Sequence, residues 1–135
     1  MKRLTLAVGL FGVLAVSALQ AQTRLEANIP FEFRMGKTTL PAGDYLFDYT
    51  SRLVVVYQQG GQKTAVMAMT LPVARPRATD TGIVEFNRYG DAYFLAKLWT
   101  PSSPEGAALP KTAREKELAS RTIPVQTEAI VLQTK

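Results

Sequence analysis

The chain reads as an all-β domain, a small β-sandwich or short β-barrel of about seven strands with one short helix, set behind an export leader. Three observations carry that reading. Apolar and polar residues alternate with period two over several short stretches, turn-forming Pro, Gly and Asp separate those stretches, and one capping signature marks a single helix near the end.

The leader comes first. Lys2 and Arg3 precede an apolar run from Leu4 to Leu19, and small residues follow that suit a signal peptidase pocket. Cleavage is expected after Ala21, with Leu19 at the −3 position; a cut after Ala18, with Val16 at −3, is the alternative. A spanning helix needs about 20 apolar residues. Here Gln20, Gln22, Thr23 and Arg24 close the run, so no membrane span is expected after cleavage. Residues 22–135 then form a single β-rich domain whose formal charge falls from +5 to +3 once Lys2 and Arg3 are removed. The chain has no cysteine, which removes both a lipidated N-terminal Cys and any disulfide. Its expected location is the periplasm, the outer envelope or the medium.

After the leader, Leu25, Ala27, Ile29, Phe31 and Phe33 share one face of a strand and Glu26, Asn28, Glu32 and Arg34 the other. Pro30 has no N–H, which predicts a sheet edge or a bulge there. A turn is expected at Gly36–Lys37, and Leu40-Pro41-Ala42-Gly43 has the residues of a β-turn. Tyr45, Phe47 and Tyr49 continue as the next strand. Two apolar segments, 53–57 and 64–71, flank Gly60-Gly61, which predicts a two-residue hairpin with Val55 opposite Val66 and Val54 opposite Met67. Being apolar on both faces, that hairpin should be central.

Residues 71–82 carry Pro72, Pro76, Arg75, Arg77, Asp80 and Gly82 with neither period, so a loop is expected. Ile83–Arg88 and Tyr93–Trp99 form the clearest hairpin, with Gly90 in the positive-φ position of a tight turn, Phe86 opposite Leu95 and Arg88 opposite Tyr93. Residues 100–110 carry three prolines and read as a second loop. Thr112-Ala113-Arg114-Glu115 matches a capping box, in which Thr112 serves the third helical N–H and Glu115 reaches back. The helix should run to about Ser120, anchored by Leu118 under an otherwise solvated Arg114–Glu117 face. A last strand is expected from Glu128 to Gln133.

Two blocks carry a resemblance. One is Asn28-Ile29-Pro30-Phe31-Glu32-Phe33, Gly36 and Leu40-Pro41-Ala42-Gly43-Asp44-Tyr45. The other is Phe86-Asn87-Arg88-Tyr89-Gly90-Asp91-Ala92-Tyr93-Phe94-Leu95, Trp99, Leu109-Pro110 and Arg114-Glu115-Lys116-Glu117-Leu118. Together they resemble a family of small exported bacterial proteins of unknown function. The resemblance implies export and a small β-rich fold; it assigns no functional residue.

Side-chain chemistry narrows the function. Without His or Cys there is no Ser-His or Cys-His nucleophile, no imidazole base and no ordinary zinc, copper or haem ligand set. No phosphate-binding or dinucleotide fingerprint occurs, no calcium loop is present, and no cofactor is expected. Although the pI is near 9.7, the basic residues are scattered and not interleaved with aromatics, so nucleic acid is not an expected partner. Paired carboxylates remain, with Asp44, Asp48, Glu85 and Asp91 as candidates, but Asp44 and Asp91 read first as turn residues and Asp48 and Glu85 as a solvated strand face.

Among the aromatics, Phe33, Phe47 and Phe86, with Leu95, read as core. Tyr89, Tyr93 and Trp99, with Arg88, read as core or as a binding platform for sugar rings. The leading expectation is a non-catalytic binding or structural protein of the secreted or envelope-associated kind, its candidate partners an extracellular polysaccharide or another envelope component. The alternatives are a carboxylate-dependent hydrolase of an extracellular polymer and a barrel that carries an apolar small molecule. The first alternative needs two of the four acids in one cleft, the second an enclosed cavity of about 300 Å³ or more.

Overall fold

The computed structural model describes residues 23–50, 52–59, 65–121 and 124–134. The expected leader and the Gly60-Gly61 turn lie outside these residues. The described chain is all-β with one helix: β1 (Thr23–Ile29), β2 (Phe33–Met35), β3 (Thr38–Leu40), β4 (Gly43–Thr50), β5 (Leu53–Gln58), β6 (Ala65–Met69), β7 (Leu71–Ala74), β8 (Gly82–Tyr89), β9 (Ala92–Trp99), β10 (Glu105–Ala108), α1 (Ala113–Ser120) and β11 (Gln126–Thr134). Short strands raise the total above the expected seven.

The strands join in the order β3-β2-β9-β8-β11-β1-β4-β5-β6. β7 continues β6 beyond the buried Thr70 and pairs with β10, which pairs with β9. The β6–β7 end of the path is thereby joined back to β9, with β2 and β3 branching from the same strand, and the sheet is nearly closed into a barrel. Period-two burial follows from the closure, because one face of every strand must turn toward the axis. Leu25, Ala27, Ile29, Phe33, Tyr45, Phe47, Val54, Val56, Val84, Phe86, Leu95, Leu98 and Leu132 fill the interior. Phe33 meets Tyr45 and Phe86 edge to face, at ring separations of 5.1 and 5.2 Å.

The β8–β9 hairpin has the expected turn and register: Gly90 has φ 62°, Phe86 faces Leu95 and Arg88 faces Tyr93. One feature of it is invisible to periodicity. Glu85 faces Lys97 while Phe86 faces Leu95, so Ala96 is an extra residue on β9. That bulge reverses the parity, and it lets Leu95 and Leu98 both enter the core while Phe94 joins Tyr89 and Leu118 beneath α1.

Several expectations need correction. Pro30 marks no bulge and ends β1, which is not an outer strand of the sheet, since β11 pairs with it at Leu25 and Glu26, but which has β4 alone as partner from Ala27 to Ile29; the chain resumes as β2 against β9. In the β5–β6 hairpin Val55 faces Met67, Val56 faces Val66 and Val54 faces Ala68, one residue out of step with a two-residue Gly60-Gly61 turn. Nor is that hairpin central. β6 ends the strand path, and its outer side chains Met67 and Met69 are 67% and 74% exposed.

The two expected loops each contain a strand, β7 and β10, paired with one another. Pro72 is tolerated because β7 has a strand neighbour on one side alone among the described residues. β10 escapes a sequence reading because its small residues are selected by contact. A methyl group at Gly106 would run into the Trp99 ring carbon Cε3 and stand 2.7 Å from the Leu98 carbonyl oxygen.

Helix α1 starts as expected, with Thr112 Oγ1 accepting from the Glu115 amide at 3.2 Å. The Glu115 side chain does not reach back to the cap and is not solvated. It is buried, turned inward to Asn87 and Tyr89.

Candidate functional site

The alternation of β8 splits the residues singled out in the sequence between two faces. Arg88 lies on the side of Val84 and Phe86, while Tyr89 lies with Glu85 and Asn87 on the other. Arg88 covers the Tyr93 ring at 5.3 Å, donates from Nε to the Gly90 carbonyl at 2.8 Å and reaches Glu128 at 3.3 Å. The opposite face of Tyr93 stacks on Phe31, with centroids 3.8 Å apart and planes 12° from parallel. Both faces of that ring are therefore occupied.

Tyr89 is buried, and its hydroxyl donates to Glu115 Oε2 at 3.0 Å, the same oxygen that accepts from Asn87 Nδ2 at 3.0 Å. Burial first, and then the bond to Glu115, pushes the Tyr89 hydroxyl up to about 12. Trp99 sits elsewhere. Its indole N–H donates to Glu85 Oε1 at 3.1 Å, the Arg75 guanidinium lies 4.9 Å from its ring centroid, and Gly106 backs the ring. Arg75 also donates to the Ser103 carbonyl at 3.0 Å, which ties the segment after β7 to the one before β10. Tyr89 and Tyr93 border one cleft of about 350 Å³ with Glu32, Phe33, Arg34, Asp91 and Ala92; Trp99 is not part of it.

The four candidate acids are also separated. Asp44 accepts from Asn28 Nδ2 at 2.8 Å. Asp48 is not on a solvated face: it is 8% exposed and takes a two-point bond from Arg24, at 3.1 and 3.4 Å, which holds the Arg24 guanidinium above its usual range. Glu85 is half-buried against Trp99. Asp91 stands exposed at the β8–β9 turn, beside the cleft that Glu32 shares.

The larger opening was not foreseen from the sequence. β1 and β11 pair at two positions, Leu25 with Thr134 and Glu26 with Gln133, and then part. They part because β11 is committed along seven positions to β8, while β1 is committed along seven to β4. The gap is a groove of about 490 Å³ lined by Glu26, Ala27, Asn28, Asp44, Gln59, Ile130, Val131 and Gln133. Two carboxylates and three amides line it beside short aliphatic side chains, and no cation is among them. Gln59 Nε2 approaches Glu26 Oε2 at 3.4 Å, so the amides pre-orient the acids without burying them. Asp44 was legible as a candidate acid. Glu26 and Asn28 read as the polar face of an ordinary strand, Ala27 as its apolar face and Ile130, Val131 and Gln133 as part of the last strand, since the splaying of β1 from β11 leaves no local trace.

Among the described residues no three His, Cys, Asp or Glu side chains gather as a metal site, and no helix is long and apolar enough to cross a membrane. No family model, curated protein or solved structure matches this chain.

Proposed function

We propose that this is an exported, non-catalytic binding protein of the cell envelope or its surroundings, and that it holds a neutral or amine-bearing polysaccharide in the groove between β1 and β11. The observation that carries the proposal is the groove lining. Carboxylate and amide side chains supply the acceptors and paired donors that sugar hydroxyls match, and short aliphatic groups offer a surface for the C–H faces of a ring. Glu26 and Asp44, with no lining cation, disfavour an acidic polymer.

A non-catalytic role is supported by the absence of His and Cys and by the engagement of Asp44, Asp48 and Glu85 with Asn28, Arg24 and Trp99. A structural or binding role is further supported by an interior filled with Phe33, Tyr45, Phe47 and Phe86. Export rests on the leader-like residues 1–21 and on the resemblance to small exported bacterial proteins.

The test is a glycan array followed by calorimetry on the best polymer. Replacing Asn28 and Gln133 together by Ala should weaken binding about tenfold or more, the loss of two hydrogen-bonding side chains. Absence of binding to any neutral or amine-bearing glycan, or unchanged affinity in that variant, overturns the proposal. Release of new reducing ends from the polymer overturns its non-catalytic part.

A further inference from the structure

Edge strands of soluble proteins are ordinarily defended, because unpaired N–H and C=O groups invite another strand. This barrel defends two of its ends. β3 has three residues and is flanked by Lys37 and Pro41. β7 carries Pro72 and leads into Arg75 and Arg77.

Within its own five residues β6 has none of these devices, the flanking charge in the sequence being Lys63. Its sequence Ala65-Val66-Met67-Ala68-Met69 has no charge and no proline, and it pairs with β5 through five consecutive positions without a bulge. Among the described residues β5 is its one strand neighbour. Its outer face continues into β7, so that Met67, Met69 and Leu71, at 67%, 74% and 61% exposure, form an apolar stripe. That stripe borders a shallow hollow of about 300 Å³ that Arg52 lines with Thr70, Pro72 and Pro110.

We infer that β6 is a self-association edge, which pairs antiparallel with β6 of a second copy of this chain about a two-fold axis at Met67. The strand is complementary to itself in that register. Met67 meets its own counterpart, Ala65 on each copy meets Met69 on the other, and on the inner face Val66 meets Ala68, so large side chains oppose small ones at both flanks. Charge argues for the same occupant. A chain with excess positive charge repels its copies over most of its surface, whereas β6 itself carries no charge, Arg52 standing at the margin of the hollow beside it. Ala65–Met69 offers about a quarter of the roughly 20 residues per side that a stable interface uses, and β7 is already paired with β10, so the dimer is weak. This inference is independent of the polysaccharide groove, which lies between β1 and β11.

Sedimentation velocity on the protein recovered from expression of the full chain tests it. The expected result is a shift from monomer to dimer as concentration rises toward about 200 µM, in line with an interface of this size. Met67→Lys and Met67→Glu should each lose the dimer, because like charges face across the two-fold axis, while their circular dichroism and melting stay unchanged. An equimolar mixture of the two variants should regain it. A wild-type chain that stays monomeric throughout, single variants that still dimerise, or a mixture that remains monomeric would each overturn the inference.

Discussion

Replacement of Glu115 by Ala probes how the helix is fastened to the barrel. The carboxylate is 4% exposed, and one of its oxygens accepts both the Tyr89 hydroxyl and the Asn87 amide at 3.0 Å. Removing it deletes two hydrogen bonds to a charged acceptor, worth about 1.5–3 kcal/mol each, and leaves two donors beneath α1 without partners. Against this stand the relief of carboxylate desolvation and a gain of a few tenths of a kcal/mol in helix propensity. The net expectation is a loss of about 2–3 kcal/mol, seen in urea denaturation followed by circular dichroism, with a fall in melting temperature of roughly 10 °C for a domain of this size. Glu115→Gln keeps an oxygen in place and should lose about 1 kcal/mol, the difference between a charged and a neutral acceptor. A double-mutant cycle with Tyr89→Phe should yield a coupling of about 1–2 kcal/mol. If Glu115→Ala lies within about 0.5 kcal/mol of wild type, or the cycle is additive, the carboxylate is not what holds the helix.

Two further outcomes follow from the same outer face. Because the Tyr89 hydroxyl is raised from 10.0 to about 12, the folded state holds that proton more tightly than the unfolded chain. This contribution is complete below about pH 10 and fades as pH rises toward about 12, a loss on the order of 1–2 kcal/mol after allowance for nearby solvent. Denaturation curves at stepped alkaline pH should fall more steeply in the wild type than in Tyr89→Phe, which keeps the contribution of the buried Tyr45; parallel curves would contradict the burial assigned to Tyr89. Gly106→Ala should destabilise by about 1–3 kcal/mol, since the methyl group would displace the Trp99 ring from Glu85 and Arg75. The molecule has one tryptophan, so its fluorescence should shift to the red in that variant, and an unchanged spectrum with an unchanged melt would refute the contact.

Local chemistry was readable where one residue type dictates a backbone shape. Gly90 gave the turn and register of β8–β9, Thr112 the start of α1, and the alternation of Leu25, Ala27 and Ile29 the inward face of β1. It failed where a partner decides. β10 is a strand because Gly106 fits against the Trp99 ring and Gly106 and Ala107 pair with β7, which is more than thirty residues away in sequence. The fate of Glu115 shows the same dependence: a capping box predicts a solvent-side carboxylate, and the approach of Asn87 and Tyr89 turns it inward. The groove was the least legible feature. Glu26 and Asn28 stand on a polar strand face like any other, and only the divergence of β11 from β1 turns that face into a recess.

By itself, then, the sequence determined a β-rich chain with one helix and a core of alternate residues, and a chemistry without imidazole or thiol, because these depend on residue type and on spacings of two or four. Barrel closure, the β9 bulge, the inward Glu115 and the lining of the groove were decided by tertiary structure. Each depends on which distant strands meet and which are already committed elsewhere, and pairing of that kind is a property of the whole sheet rather than of any segment within it.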